Sequence, residues 1–388
     1  MKLSKLLLTS TTALGLSMTA AMADDNEAYI DQLGNDNNAL VEQEGSSAEA
    51  GSDGSGNTPG GMVQNGDNNN IDILQLNGSV VGTGGDYVQL NEGVDQDGDY
   101  NTLNVTQEFG SRVFEVQQDS RGTTGAPTDV VNSVEIDQKG NMAVSRVNQT
   151  YTGDGTSGTA NTVNISQRGS QFHLSRVGDS NGFSKEALEN SDRGIFQVGD
   201  SNSVDITQRS AGQSIERLNQ TGSGNDFDLV QTDGNGNDTD FAIQTGNDNV
   251  IDIQQLGANN EIRVVKQIDS SDGSGDNNSL VVTMNGDNNG VGIGLGSSGD
   301  AFDVAGLVDT TAGYFTQDGD SNIATLDVWG SDNAVSYHSE GDSNSIDGDI
   351  GSGTVNASGN RAAVVQVGDM NTASFSQMGS GNNAGISQ

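Results

Sequence analysis

The 388 residues include no cysteine and only two prolines, and aromatic side chains make up 4% of the chain. Without cysteine there are no disulfides, so stability has to come from repetition or from a ligand. Basic residues are scarce as well: 15 Lys and Arg stand against 54 Asp and Glu, a formal net charge of −39. That balance argues against nucleic acid or an anionic lipid surface as partner. It suits solubility before assembly and repulsion between finished assemblies. Long apolar runs are missing too. After Leu6–Leu16 nothing approaches the roughly 18 residues that a spanning helix needs, so no membrane span is expected. With 31% hydrophobic residues, a chain of this length is poorly supplied for one large core. Either it is disordered, or it buries a thin core that recurs regularly.

The N-terminus has the pattern of an export leader. Lys2 and Lys5 form a positive start, Leu6–Leu16 an apolar stretch, and Ala21-Met22-Ala23 a small-residue cleavage site before Asp24. Residues 1–23 are therefore expected to be removed, which makes the mature chain more acidic still.

The remainder repeats. Gln-x-Gly-x-x-Asn occurs at Gln32/Gly34/Asn37, Gln64/Gly66/Asn69, Gln96/Gly98/Asn101, Gln197/Gly199/Asn202, Gln220/Gly222/Asn225 and Gln244/Gly246/Asn249. It returns at Gln255/Gly257/Asn260, Gln317/Gly319/Asn322, Gln366/Gly368/Asn371 and Gln377/Gly379/Asn382. After each Asn the residues alternate. Asn69-x-Ile71-x-Ile73-x-Gln75, Asn101-x-Leu103-x-Val105-x-Gln107 and Asn202-x-Val204-x-Ile206-x-Gln208 are clean copies. Asn161 to Gln167, Asn225 to Gln231, Asn249 to Gln255 and Asn382 to Gln388 obey the same rule. Period-two alternation of this length reads as a strand with one buried face. The unit is eleven residues, as from Gln32 to Gln43 or from Gln366 to Gln377: a strand, then a turn rich in Gly, Asp and Asn.

Two units make a coil of about 22 residues that can neither bury its apolar stripe nor satisfy its strand edges alone. Stacking coils about 4.8 Å apart does both. The expected fold is all-β: a β-solenoid, a cross-β stack of strand-turn-strand coils with Gly/Ser-rich loop insertions. In such a stack the inward Asn and Gln side chains line up as amide ladders. Each hydrogen bond gains about 1 kcal/mol, whereas an unpaired buried amide costs about 1–3 kcal/mol, so the ladder enforces register more than it adds raw stability. Loops are expected near residues 44–61, 119–129, 152–160, 182–194, 268–277 and 296–312, where alternation stops; Pro59 and Pro127 fall inside two of them.

The turn and strand motifs together, behind an export leader and without cysteine, resemble the curlin repeat of curli fibre subunits. The resemblance implies an extracellular functional amyloid of a bacterial biofilm matrix, contributing to adhesion and aggregation. It also implies polymerisation with itself or with a companion curlin subunit, export through a dedicated outer-membrane pore, and a related nucleator. By the same resemblance, copies without a terminal Gln, such as Asn289 to Leu295 or Asn322 to Val328, slow assembly. Ala stands two residues after the Asn in only some copies (Ala39, Ala324, Ala373, Ala384), with larger apolar residues elsewhere.

Nothing points to catalysis, a cofactor or a dedicated metal site. Asp67, Asp200, Asp248, Asp287, Asp320, Asp342 and Asp369 sit in turns and read as turn formers. His173 and His338 are the only imidazoles, with no nucleophile motif beside them. Gly222–Asp226 and Gly234–Asp238 partly resemble the calcium-binding nonapeptide of β-rolls. That motif requires nine-residue spacing in tandem, so a monomeric acidic calcium-binding adhesin is the alternative reading. Phe227 and Phe375 occupy inward positions; Trp329 fits either face.

Overall fold

The computed structural model describes residues 27–28, 30–44, 49–50, 62–76, 80–81, 94–108, 111–120, 131–139, 143–152, 160–169, 176–177, 194–210, 212–269, 275–290, 312–351 and 357–388. Residues 1–23, Pro59, Pro127, His173, Val291–Leu295 and at least half of each expected loop lie outside them. The chain divides into two compact units, 1–204 and 205–388.

Each unit is an all-β solenoid made of two parallel sheets. In the first unit one sheet stacks Asn38–Glu44, Asn70–Leu76, Asn101–Glu108, Asn132–Lys139 and Asn161–Arg168, every pair parallel and in register. Ala39, Ile71, Leu103, Val134 and Val163 fall in one column, and Val41, Ile73, Val105, Ile136 and Ile165 in the next. From Ile71 onward these side chains are shut off from solvent. Each buried aliphatic contributes about 1.5–3 kcal/mol, which is how a thin core suffices. The facing sheet carries Ile30–Leu33, Met62–Asn65, Val94–Asp97, Arg112–Asp119, Ala143–Tyr151 and Gly194–Asp200.

The second unit repeats the plan. One sheet runs Asp226–Thr232, Val250–Leu256, Ser279–Asn285, Ile323–Ser331, Ser345–Ile350 and Thr372–Gln377. The other runs Ser214–Ser223, Asp238–Thr245, Glu261–Ile268, Tyr314–Asp318, Ala334–Glu340, Arg361–Val367 and Asn383–Ser387. Phe227 is fully buried, as its position suggested, and Trp329 faces outward, half-buried.

Simple alternation does not hold in both sheets. In Asp238–Thr245 the inward residues are Thr239, Ala242 and Gln244, while Asp240 and Phe241 both face out. Ser214–Ser223 and Glu261–Ile268 take the same step at Glu216-Arg217 and Arg263-Val264. The parallel registers skip Glu216, Asp240 and Arg263 together. This is an extra residue of the β-bulge kind, carried in register from coil to coil. In the first unit, Val113/Val116 and Val144/Val147 show the same spacing.

The turns explain the glycines. All ten repeat-turn glycines (Gly34, Gly66, Gly98, Gly199, Gly222, Gly246, Gly257, Gly319, Gly368, Gly379) have positive φ, between 87° and 130°. A Cβ on Gly66 would also run into the carbonyl of Gly98 one coil on. The third turn residue is left-handed as well, at φ near 55–60° for Asp36, Asn68, Tyr100, Ser201, Asp248, Asn259, Ser321 and Met370. Asn, Asp and Ser tolerate this region; Tyr and Met bear its cost. Two stability outcomes follow for chemical denaturation of the soluble chain. Gly66→Ala is expected to cost at least about 2 kcal/mol. Tyr100→Asn is expected to gain about 0.5–1 kcal/mol.

Candidate functional site: the stacked amide columns

A strand residue pointing inward in every coil meets its own counterpart above and below. Where that residue is glutamine, the amide can donate in one direction and accept in the other. In the first unit Gln32 donates through Nε2 to Oε1 of Gln64 (2.5 Å), Gln64 to Gln96 (2.9 Å), Gln96 to Gln118 (2.8 Å), Gln118 to Gln149 (3.0 Å) and Gln149 to Gln197 (2.8 Å). Across the core Gln75 donates to Gln107 (3.3 Å), Gln107 to Gln138 (2.8 Å) and Gln138 to Gln167 (2.7 Å). Gln43 pairs with Gln75 by backbone register. In the second unit the runs are Gln208–Gln231–Gln255, Gln220–Gln244–Gln267–Gln317 and Gln366–Gln388, at 2.7–3.0 Å.

These amides also tie one sheet to the other. Besides Gln267, Gln244 Nε2 reaches the backbone carbonyls of Asp226 (2.9 Å) and Asn249 (3.0 Å). Gln64 and Gln96 similarly reach Asn38 O and Asn70 O, both at 3.1 Å. From Gln64 to Gln366 the glutamines in these columns are at most 1% exposed.

The asparagines close the turns. Asn69 and Asn101 donate backbone N–H to the side-chain oxygens of Asn37 and Asn69 (2.9 and 3.0 Å), and Asn202 to that of Asn161 (3.2 Å). In the second unit one column runs Asn225, Asn249, Asn278, Asn322, Asn344, Asn371. The other runs Asn237, Asn260, Asn289, Asn333, Asn360, Asn382. The side-chain N–H of many of them goes to a turn carbonyl one coil later, such as Asn37 to Gly66 (2.7 Å), Asn225 to Gly246 (2.9 Å) and Asn360 to Gly379 (2.9 Å).

The amides picked out by the repeat motif lie on these columns, Gln43 by register, except Gln377, which follows Ile350 in register and donates to Arg361 O (2.9 Å). Gln118, Gln138, Gln149, Gln267, Asn132, Asn237, Asn278, Asn333, Asn344 and Asn360 belong to them too. Asn132-x-Val134-x-Ile136-x-Gln138 is a clean strand motif that would have revealed two of these. Gln118, Gln149 and Gln267 are followed two residues on by Ser120, Tyr151 and Asp269 in place of the turn glycine, so the turn motif misses them, and the extra-residue step before them breaks the strand motif.

The turn aspartates do more than form turns. Asp67 accepts at Oδ1 from the backbone N–H of Asn35 in the neighbouring coil (2.6 Å), and Asp320, Asp342 and Asp369 accept from Asp276, Asp320 and Asp342 (2.8, 2.9 and 3.0 Å). Asp287 accepts from Ala258 at 2.8 Å. Asp248 instead takes the left-handed third position. His338 lies on an outward position, half-buried. Among the described residues no three His, Asp or Glu side chains are grouped to hold a metal ion. No described helix could cross a membrane.

Outward carboxylates also stack. Burial, followed by the charges of Asp238, Glu216 and Glu261, pushes Asp240 up to about 7. Asp238, which accepts from Ser214 Oγ, is raised mainly by burial. On the other sheet burial, then Asp226, Asp205 and Asp252, raises Asp228 to about 6. Near Asp240, Arg263 is engaged by Glu261 at 2.6 Å and Arg217 by Asn219 at 3.2 Å.

Two outcomes are expected. Gln244→Leu takes the donor from Gln267 Oε1 and the acceptor from Gln220, lowering stability by about 2–4 kcal/mol in urea titrations. The second concerns pH. The folded pKa of Asp240 and Asp228 lies above the unfolded value near 3.9, so their favourable contribution is complete below pH 4 and is lost as pH rises through 6 to 7. Between pH 5 and 8 these groups make the second unit less stable as pH rises. Asp240→Asn is expected to flatten that slope, and an unchanged slope refutes the assignment.

Comparison with known families gives one result. The model of the curlin associated repeat matches residues 23–51 and 357–388. No curated protein matches the chain.

Proposed function

We propose that this chain, which carries the curlin associated repeat, is a structural subunit of an extracellular curli-type amyloid fibre in a bacterial biofilm matrix. The subunit is major, minor or nucleator-like, and contributes to adhesion and aggregation. It grows the fibre by adding coils of itself or of a companion curlin, after export through a curli-type pore. The repeat match supports the fibre class, and the uncovered edge of residues 372–388 supports the mode of growth.

At that edge the amide chemistry changes. Asn371 Nδ2 turns back onto Val367 O (3.2 Å) and Gly368 O (3.0 Å), and Asn382 Nδ2 onto Met378 O (2.8 Å). In most interior coils the same group reaches forward to the next turn, although Asn344 Nδ2 also turns back, onto Glu340 O (3.4 Å). The inward side chains Phe375, Ala384 and Ile386 are half-exposed, as are Ile30, Ala39 and Val41 in the first described coil, whereas the inward aliphatics of the coils between are shut. Gln388 accepts from Gln366 at 3.0 Å and donates to Thr372 O at 3.1 Å. A further coil supplies what is needed. The turn of a further coil offers a glycine carbonyl for Asn371 Nδ2 and a side-chain oxygen for the N–H of Asp369, and the next inward glutamine of that coil offers Oε1 to Gln388. This is strand addition to an open sheet edge.

Purified chain lacking residues 1–23 is expected to form thioflavin-positive fibres with reflections near ~4.8 and ~10 Å, with or without a calcium chelator. A persistently monomeric, thioflavin-negative protein at high concentration would refute the fibre reading. Phe375→Lys puts a charge on the uncovered stripe and is expected to slow seeded elongation at least about tenfold, since an unpaired buried charge is so costly. Unchanged elongation would exclude this edge as the site of addition.

A further inference from the structure

Within the second unit the glutamine column running through Gln267 and Gln317 is interrupted at one coil. Ser339 stands directly between Gln317 and Gln366 in the register, with a side chain far too short to reach either amide. Four fully or almost fully buried polar side chains surround that position: Asn322, Tyr337, Ser339 and Gln366, none more than 2% exposed. Ser339 Oγ donates to Asn322 Oδ1 at 3.2 Å. The Tyr337 hydroxyl approaches the Gln317 and Ser339 side chains, and burial raises its pKa well above the usual tyrosine range. Three atoms there complete no hydrogen bond among the described residues: Tyr337 Oη, Asn322 Nδ2 and Gln366 Oε1. Gln317 Nε2 is already spent on Ser279 O (3.0 Å) and Asn322 O (2.8 Å), so it cannot serve them.

Unpaired buried polar groups are costly, and buried water is the usual remedy where a site is polar and offers two to four partners. Here Asn322 Nδ2 is a donor, Gln366 Oε1 an acceptor, and the Tyr337 hydroxyl can be either. A water molecule both accepts and donates, which matches that set; a cation would face the Asn322 N–H and is disfavoured. We propose that a single buried water occupies the break in the column at Ser339. It accepts from the Tyr337 hydroxyl and Asn322 Nδ2 and donates to Gln366 Oε1, standing in for the missing glutamine amide.

The break has company. Across the core the column that carries Gln255 continues as Met284, Val328 and Ile350 before Gln377. Between Gln255 or Gln317 on one side and Gln366 or Gln377 on the other, no glutamine-to-glutamine bond is made among the described residues. The hydrated coil thus lacks glutamine-to-glutamine bonds and is held, among its amides, by the asparagine columns alone, which makes local opening easier there.

A dry, orphaned hydroxyl and a water-bonded one predict opposite signs for Tyr337→Phe. Removing an orphan stabilises, whereas removing one partner of a bound water destabilises. The soluble chain, followed by the fluorescence of Trp329 in the adjacent strand, is expected to lose roughly five- to tenfold in its folding constant with Tyr337→Phe. The double variant Tyr337→Phe/Ser339→Gln copies the arrangement already present at Phe315 and Gln317 one coil earlier. It is expected to fold at least as stably as the unaltered chain. Tyr337→Phe with equal or greater stability would overturn the proposal, and so would a double variant weaker than Tyr337→Phe alone. If the variants do not fold, the unaltered protein decides. Slowly exchanging water giving NMR cross-peaks to the backbone amides of Ser339 and Gln366 supports the site, and their absence at those amides refutes it.

Discussion

A glutamine amide sealed from water needs a partner for each polar atom, and the repeat lets it find them in three places at once. Gln244 bonds the glutamine before it, the glutamine after it and the backbone of the facing sheet. Coil spacing, sheet spacing and register are therefore fixed by one side chain. A slip of one residue would put the amide on the solvent face and an outward side chain such as Ile243 or Thr245 into the core. The aliphatic columns supply the burial, but they would accept many registers; the amides accept one.

What the amides order on the inside, the turns and outer faces strain. Each turn needs two residues at positive φ, and the outward faces bring carboxylates to strand spacing. The chain meets the first demand mostly with Gly, Asn, Asp and Ser. It eases the second in part through inter-coil pairs such as Lys139–Glu108 and Arg168–Asp137, both at 2.8 Å. Around Asp240, burial together with the charges of Asp238, Glu216 and Glu261 pushes its pKa up to about 7.

The sheet containing Ile71, Leu103 and Val134 could be read from the sequence, because alternation over seven residues between Asn and Gln leaves one assignment of faces. The sheet containing Ala242 and Val265 could not. An extra outward residue breaks the period, and only a neighbour with the same extra residue makes the bulge tolerable, a relation between coils that no local window contains. The turn glycines were legible for the same reason as the first sheet. The left-handed third position was not, since Tyr100 and Met370 occupy it beside better-suited residues. The coil-to-coil role of Asp67 and Asp342 was also hidden: an aspartate in a turn has a sufficient local explanation, and its real partner is the N–H of another turn.

Within each unit the glutamine amides donate from lower to higher residue numbers, and the asparagine oxygens accept from higher to lower. The stack thus has a direction written in its hydrogen bonds. Its two faces are chemically different, one offering amide N–H groups where the other offers oxygens. Two copies meeting through like faces would set donor against donor. A closed two-fold dimer through the coil faces is thereby disfavoured, and contact between opposite faces leaves a fresh face at each end, which is the geometry of an open-ended filament rather than of a finite oligomer.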